Sequence, residues 1–129
     1  MITYGFTKAL ALPIDKALEV TTEQLKQEGF GVLTRIDLDQ KFEEKLGIDF
    51  NRYVILGACN PAFAHKSLLA EENIGLFLPC NVILYEKEGN TVLAIIKPTV
   101  AMNMIDNEQL RGLAAEVEAK LQRAFDRIN

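Results

Sequence analysis

Ile14, Leu18, Thr21 and Leu25 recur at steps of three and four. That spacing predicts a helix over about Pro13–Glu28 with one inward stripe. Pro13 suits its first turn, Asp15 and Glu19 lie near its positive end, and Gly29 closes it. The same period returns near the C-terminus. Leu110, Leu113, Val117, Leu121, Ala124 and Ile128 hold a stripe through about five turns. This second long helix is expected over Asp106–Ile128, with Asp106 and Gln109 as a capping box. Glu116, Lys120, Arg123 and Arg127 read as its solvated face.

Two shorter helices are expected between them. Leu38, Phe42 and Leu46 are spaced by four, with Lys41, Glu43, Glu44 and Lys45 outward and Gly47 as terminator. The other starts at Asn60-Pro61, runs to about Glu72 and is closed by Asn73-Ile74-Gly75. Strands are expected over Tyr4–Leu12, Phe30–Ile36, Arg52–Cys59, Asn81–Lys87 and Thr91–Lys97. Glu88-Gly89-Asn90 reads as a tight hairpin turn, Gly89 and Asn90 both tolerating positive φ. The expected fold is α+β in two layers. A largely antiparallel five-stranded sheet carries both long helices on one face, plus two short helices.

The last three strands do not alternate. Tyr53/Ile55, Ile83/Tyr85 and Val92/Ala94/Ile96 oppose equally apolar neighbours. An antiparallel sheet covered on one face normally alternates apolar and polar residues. Both faces therefore call for cover. What the two short helices leave open would be an apolar patch, and pairing into a homodimer is the commonest way to bury one.

Composition narrows the class. The 129 residues suit a single domain spanning 1–129. Apolar residues make up 49 % and tryptophan is absent, so Leu, Ile, Val and Phe must build the core. A net charge of −4 lacks the basic footprint that nucleic acid requires, so no nucleic-acid partner is expected. No apolar run approaches the ~20 residues of a membrane span, and no membrane association is expected. Met1-Ile2-Thr3-Tyr4 shows no secretory pattern. The expected location is cytoplasmic, where two cysteines remain thiols.

Chemistry concentrates in two segments, Gly57-Ala58-Cys59-Asn60-Pro61 and Leu78-Pro79-Cys80-Asn81, with the only histidine, His65, between them. Cys59 closes one strand and Cys80 opens the next. If those strands pair antiparallel, both thiols share one rim of the sheet beside the helix that starts at Pro61. Each cysteine reads either as a small buried hydrophobe or as one of a thiol pair near a helix N-terminus. Adding His65 gives three possible zinc or copper ligands, but close Cys-x-x-Cys spacing and a fourth ligand are missing, so no metal is expected. His65 reads instead as a surface helix residue. Asn60 and Asn81 read as turn and cap residues before they read as ligand contacts. Met102-Asn103-Met104 reads as core filler rather than a soft-metal site. No Gly-rich phosphate loop or nucleophile elbow is present.

These segments carry a resemblance. Glu28-Gly29-Phe30-Gly31-Val32, Tyr53-Val54-Ile55-Leu56-Gly57-Ala58-Cys59-Asn60-Pro61, Gly75-Leu76-Phe77-Leu78-Pro79-Cys80-Asn81-Val82 and the hairpin around Gly89 resemble the family known as domain of unknown function 302. The resemblance implies a fold similar to the TATA-binding-protein-like class: a curved antiparallel sheet, a helix after the first strand and a long C-terminal helix. It implies no activity, and a fold name does not carry DNA binding with it.

The function expected is a non-catalytic small-ligand or partner-binding module with its site near Cys59, Asn60, Pro61, His65, Cys80 and Asn81, needing no cofactor. A thiol-based redox protein or cysteine enzyme is the first alternative, and a metal-handling protein the second. Whether the chain is an enzyme is left open.

Overall fold

The computed structural model describes residues 2–129. Five strands form one sheet: β1 (Gly5–Leu10), β2 (Gly31–Asp37), β3 (Tyr53–Cys59), β4 (Cys80–Lys87) and β5 (Asn90–Ile96). Their spatial order is β1-β5-β4-β3-β2, and every neighbouring pair is antiparallel. The helices are α1 (Ile14–Gln27), α2 (Leu38–Leu46), α3 (Pro61–Ala70), α4 (Pro98–Ala101) and α5 (Glu108–Arg127). A 3₁₀ helix, Glu72–Phe77, links α3 to β4. This is the α+β fold that the hydrophobic pattern predicts.

One face of the sheet is closed by α1 and α5. Leu10, Val54, Leu56, Val82, Leu84, Leu93 and Ile95 project from the strands into a single cluster with Ile14, Leu18 and Leu25 of α1 and Leu121 and Ala124 of α5. Both predicted stripes are therefore the core-facing sides of their helices. Polar contacts then lock the layer in place. Lys8 of β1 donates from Nζ to the carbonyls of Phe125 and Ile128, each at 2.7 Å. It thus satisfies carbonyls at the end of α5, where cations are favoured. Burial lowers the Lys8 pKa against the opposing pull of Asp126.

Not all of the charged residues of α5 are merely solvated. Arg123 and Arg127 reach across to α1, pairing with Glu28 at 3.1 and 3.0 Å, and Arg127 also donates to Gln24 at 2.7 Å. Burial pushes the Glu28 carboxyl up, but the hydrogen bonds and charges of Arg127 and Arg123 outweigh it and hold the pKa below its ordinary value.

Several joints differ from the sequence expectation. The N-cap of α5 is Asn107, whose side chain accepts from Leu110 N at 3.0 Å and donates to Ala70 O at 3.0 Å. Asp106 instead pairs with Arg111. Asn107 wins because one amide both caps α5 and holds the end of α3. The hairpin's positive φ values fall on Glu88 and Gly89, and Asn90 already pairs with Lys87 as the first residue of β5. The helix after Pro61 stops at Ala70, and Gly75 lies inside the 3₁₀ helix rather than at a helix end. Pro98 does more than end β5. It begins α4, which is pinned to α5 by Thr99, whose N and Oγ1 both donate to Glu118. A satellite cluster of Ile74, Met102, Leu110 and Ala114 fills the space beneath these short elements.

The second face of the sheet receives little cover. α3 packs against α5, on the side already closed. α2 rests against β3 with none of its residues buried. No described helix is long and apolar enough to cross a membrane.

Candidate binding groove at the cysteine end of the sheet

The β3–β4 register pairs Ala58 with Cys80 and Gly57 with Asn81. Both motif segments therefore meet at one rim of the sheet, and Cys59 lies one residue beyond the pair. Cys80 is buried on the covered side with Ala58. Cys59 is half-buried, and neither thiol is in a disulfide. Both cysteines line a small cavity of about 30 Å³, together with Phe30, Phe63, Leu78 and Met102. That volume has room for about one water. Burial, with a smaller contribution from the neighbouring Cys59, pushes the Cys80 thiol up to about 11. The thiolate is the nucleophile and metal-binding form, so this environment works against chemistry at Cys80.

The remaining predicted residues divide. Asn60 precedes α3, but its side chain makes no cap bond there. It donates to Glu28 O at 3.4 Å and lies against Gly29, whose φ of +86° only a residue such as glycine adopts easily. Asn60 therefore fastens the α1–β2 joint to the end of β3. Pro61 occupies the first turn of α3, as its missing N–H favours. Pro61 and His65 are exposed and border neither the cavity nor the groove described next. Among the described residues, no three His, Cys, Asp or Glu side chains converge as a ligand set. Met102 is buried, as a core filler would be, whereas Met104 is exposed.

On the opposite side of Cys80 the rim opens. Pro79 lies directly over Gly57. A Cβ there would collide with Thr34 Oγ1 and come within 2.6 Å of Pro79 Cγ. Glycine is thus required for the Pro79 segment to seat on β3. Beside it lies a groove of about 250 Å³ bordered by Leu76, Pro79, Cys80, Asn81, Ile96 and Met102. It continues into a depression of about 290 Å³ that reaches Ile2, Tyr4, Gly5, Ile83 and Ala94 on the second face of the sheet. Asn81, Ile96 and Ala101 border both parts. The depression is almost entirely apolar, whereas the groove mixes apolar side chains with polar atoms, the Asn81 amide among them. This combination suits orientation of an apolar ligand or partner side chain.

A larger depression of about 820 Å³ lies elsewhere, between α1 and β2. Its walls carry Lys16, Glu19, Glu23 and Arg35. Arg35 is held by Asp37 at 2.7 Å, leaving a wide furrow with charged side chains along its walls and no converging chemistry. Sequence reasoning did not identify Leu76, Ile96 and Ala101 as groove residues. They come from the 3₁₀ helix, β5 and α4, and no local pattern joins them.

Comparison with known proteins agrees with this fold. The family model for the domain of unknown function DUF302 matches residues 6–128. The crystal structure of an uncharacterized conserved protein DUF302 from Bacillus stearothermophilus is similar to this chain at 35 % sequence identity and a TM-score of 0.92. The match covers 99 % of this chain and 100 % of that one. No curated protein matches the chain. With its motif segments meeting at one rim, and with family and structural matches along nearly its whole length, the chain belongs to the DUF302 family, a domain of unknown function.

Proposed function

We propose that the protein is a single-domain, non-catalytic binding module that takes an apolar small molecule or an apolar side chain of a partner in the groove beside Cys80 and Asn81. The observation that carries this reading is the contrast between the two sides of Cys80. On one side is a cavity of only about 30 Å³, beside a thiol pushed up to about 11. On the other is a groove of about 250 Å³ with the Asn81 amide at its edge, continuing into an apolar depression of about 290 Å³. The first has neither the room nor the ionisation for catalysis. The second has the size and lining of a binding site. A reducing compartment such as the cytoplasm suits the two unpaired thiols.

The test uses the apolar dye 1-anilinonaphthalene-8-sulfonate. Its fluorescence should rise saturably with one dye per chain, and Ala101→Phe, which fills the groove, should abolish the rise without lowering the melting temperature. No saturable rise, or a rise unaffected by Ala101→Phe, would overturn the reading. Alkylation separates the thiol alternative. Cys80 should resist iodoacetamide at pH 8 in the folded protein, and rapid labelling of Cys80 would favour thiol chemistry.

A further inference from the structure

The second face of the sheet forms three cross-strand rows. Tyr53, Tyr85, Val92 and Ala9 make the first. Ile36, Ile55, Ile83, Ala94 and Thr7 make the second. Thr34, Gly57 and Asn81 lead the third, with Ile96 and Gly5 at its far end. None of these side chains carries a charge. Tyr53 and Tyr85 are stacked, with ring centres 5.2 Å apart and planes within 7°. Ile55, Ile83, Tyr85, Val92, Ala94 and Ile96 are only half-buried within the chain. At the margins Tyr4, Ile36, Leu46, Ile48 and Phe50 are exposed.

We infer that this face is occupied by a second copy of the same chain, related by a two-fold axis near Ile83, and that the second copy forms the missing wall of the Asn81–Ile96–Ala101 groove. Three observations select a second copy. The first is shape. Bulky side chains, Tyr53, Tyr85, Ile55 and Ile36, stand on the β2–β3–β4 side. The depression bordered by Gly5, Ile83, Ala94 and Ile96 lies on the β1–β5 side. A two-fold rotation about the centre of the middle row sets the ridge of each copy into the depression of the other, as an isologous interface requires.

The second is charge. Each copy carries a net charge of −4, so a contact between two copies must avoid burying like charges against each other. The three rows meet that condition, and charge depletion is the mark of an interface centre. The third is area. Five strands about 4.8 Å apart and about six residues long at ~3.3 Å each give a patch on the order of 480 Å² in projection per copy. Two such patches with the exposed margins reach the roughly 1,000 Å² total that a specific interface needs.

The groove is affected because Asn81, Ile96 and Ala101 border both it and this face. This consequence for the groove rests on the binding reading proposed above. Self-association does not, because it is read from mass alone. Light scattering on the full chain at tens of micromolar should give twice the single-chain mass. Ile83→Glu, at the centre of the middle row, should give the single-chain mass with an unchanged far-ultraviolet circular dichroism spectrum. Ile36→Glu replaces a side chain already 42 % exposed, so folding tolerates it, and it should do the same. Leu69→Glu, on α3 away from this face, should remain paired. A single-chain mass for the unaltered protein would overturn the inference. So would pairing that survives both Ile36→Glu and Ile83→Glu, or pairing lost only in Leu69→Glu.

Discussion

The two faces of the sheet are built from the same five strands and nearly the same residue types, yet they meet different fates. On the covered face Val54, Leu56, Val82, Leu84, Leu93 and Ile95 are 2 % exposed or less, sealed by α1 and α5. On the other face Ile55, Ile83, Ala94 and Ile96, each one residue along the same strands, stay half-buried. Strand composition therefore does not tell a covered face from an uncovered one. The difference lies in which face the long helices can reach. β1 runs directly into α1, and Lys8 with the Arg127–Glu28 pair holds α5 beside it. Both helices end on one side, and the other side keeps little cover.

Mutation should separate the faces most sharply at adjacent positions of β4. Leu84→Ala opens a cavity in the sealed core and should cost about 2–5 kcal/mol in denaturant unfolding. Ile83→Ala, one residue away, should cost about 1 kcal/mol in dilute protein, a fraction of the full-burial value. Equal losses at both positions, independent of protein concentration, would mean that the second face is already core. Gly57→Ala addresses the rim where the faces meet. Its Cβ has no room beneath Pro79 and Thr34, so about 1–3 kcal/mol should be lost to overpacking. A neutral result would show that the Pro79 segment is not seated on β3.

The helix clamp should respond next. Lys8→Met keeps an apolar stem against Phe125 but removes both bonds to the end of α5. A loss of about 1–2 kcal/mol is expected from denaturant curves. The smallest effect should be the pH dependence contributed by Glu28. Its folded pKa lies below its ordinary 4.5, so the carboxylate's contribution is present above that value. It is lost as pH falls through the folded pKa. Stability should therefore decline as pH drops below about 4.5, and Glu28→Gln should flatten that decline. An unaltered acid limb in Glu28→Gln would remove Glu28 from the clamp.

Much of the covered layer was legible beforehand. The stripes Ile14-Leu18-Leu25 and Leu110-Leu113-Leu121 face the core because a 3.6-residue period can bury only one side of a helix. Gly29 and Gly47 adopt positive φ just past α1 and α2, at 86° and 65°, where a helix terminus favours glycine. Meeting of the two motif segments followed from antiparallel pairing of β3 with β4. The joints were less legible. Asn107 rather than Asp106 caps α5 because it can also reach Ala70, a partner distant in sequence. Arg123 and Arg127 looked solvated because Glu28 is far away along the chain, although adjacent in space.

By itself, then, the sequence determined the five strands and the four longer helices, though not the 3₁₀ helix or α4. It also determined the inward stripes, the absence of alternation in β3, β4 and β5, and the rim that carries both cysteines. Those are local or short-period properties, set by side-chain spacing and by backbone preference at glycine and proline. Only the tertiary structure decided which face α1 and α5 close, that Asn60 binds Glu28 rather than capping its own helix, and that His65 is exposed and borders neither the cavity nor the groove. It also decided that Cys80 borders both a small cavity and a larger groove. Those outcomes depend on contacts between segments tens of residues apart. Their geometry is fixed when helices, strands and loops compete for the same buried space, and no local pattern records which of them wins.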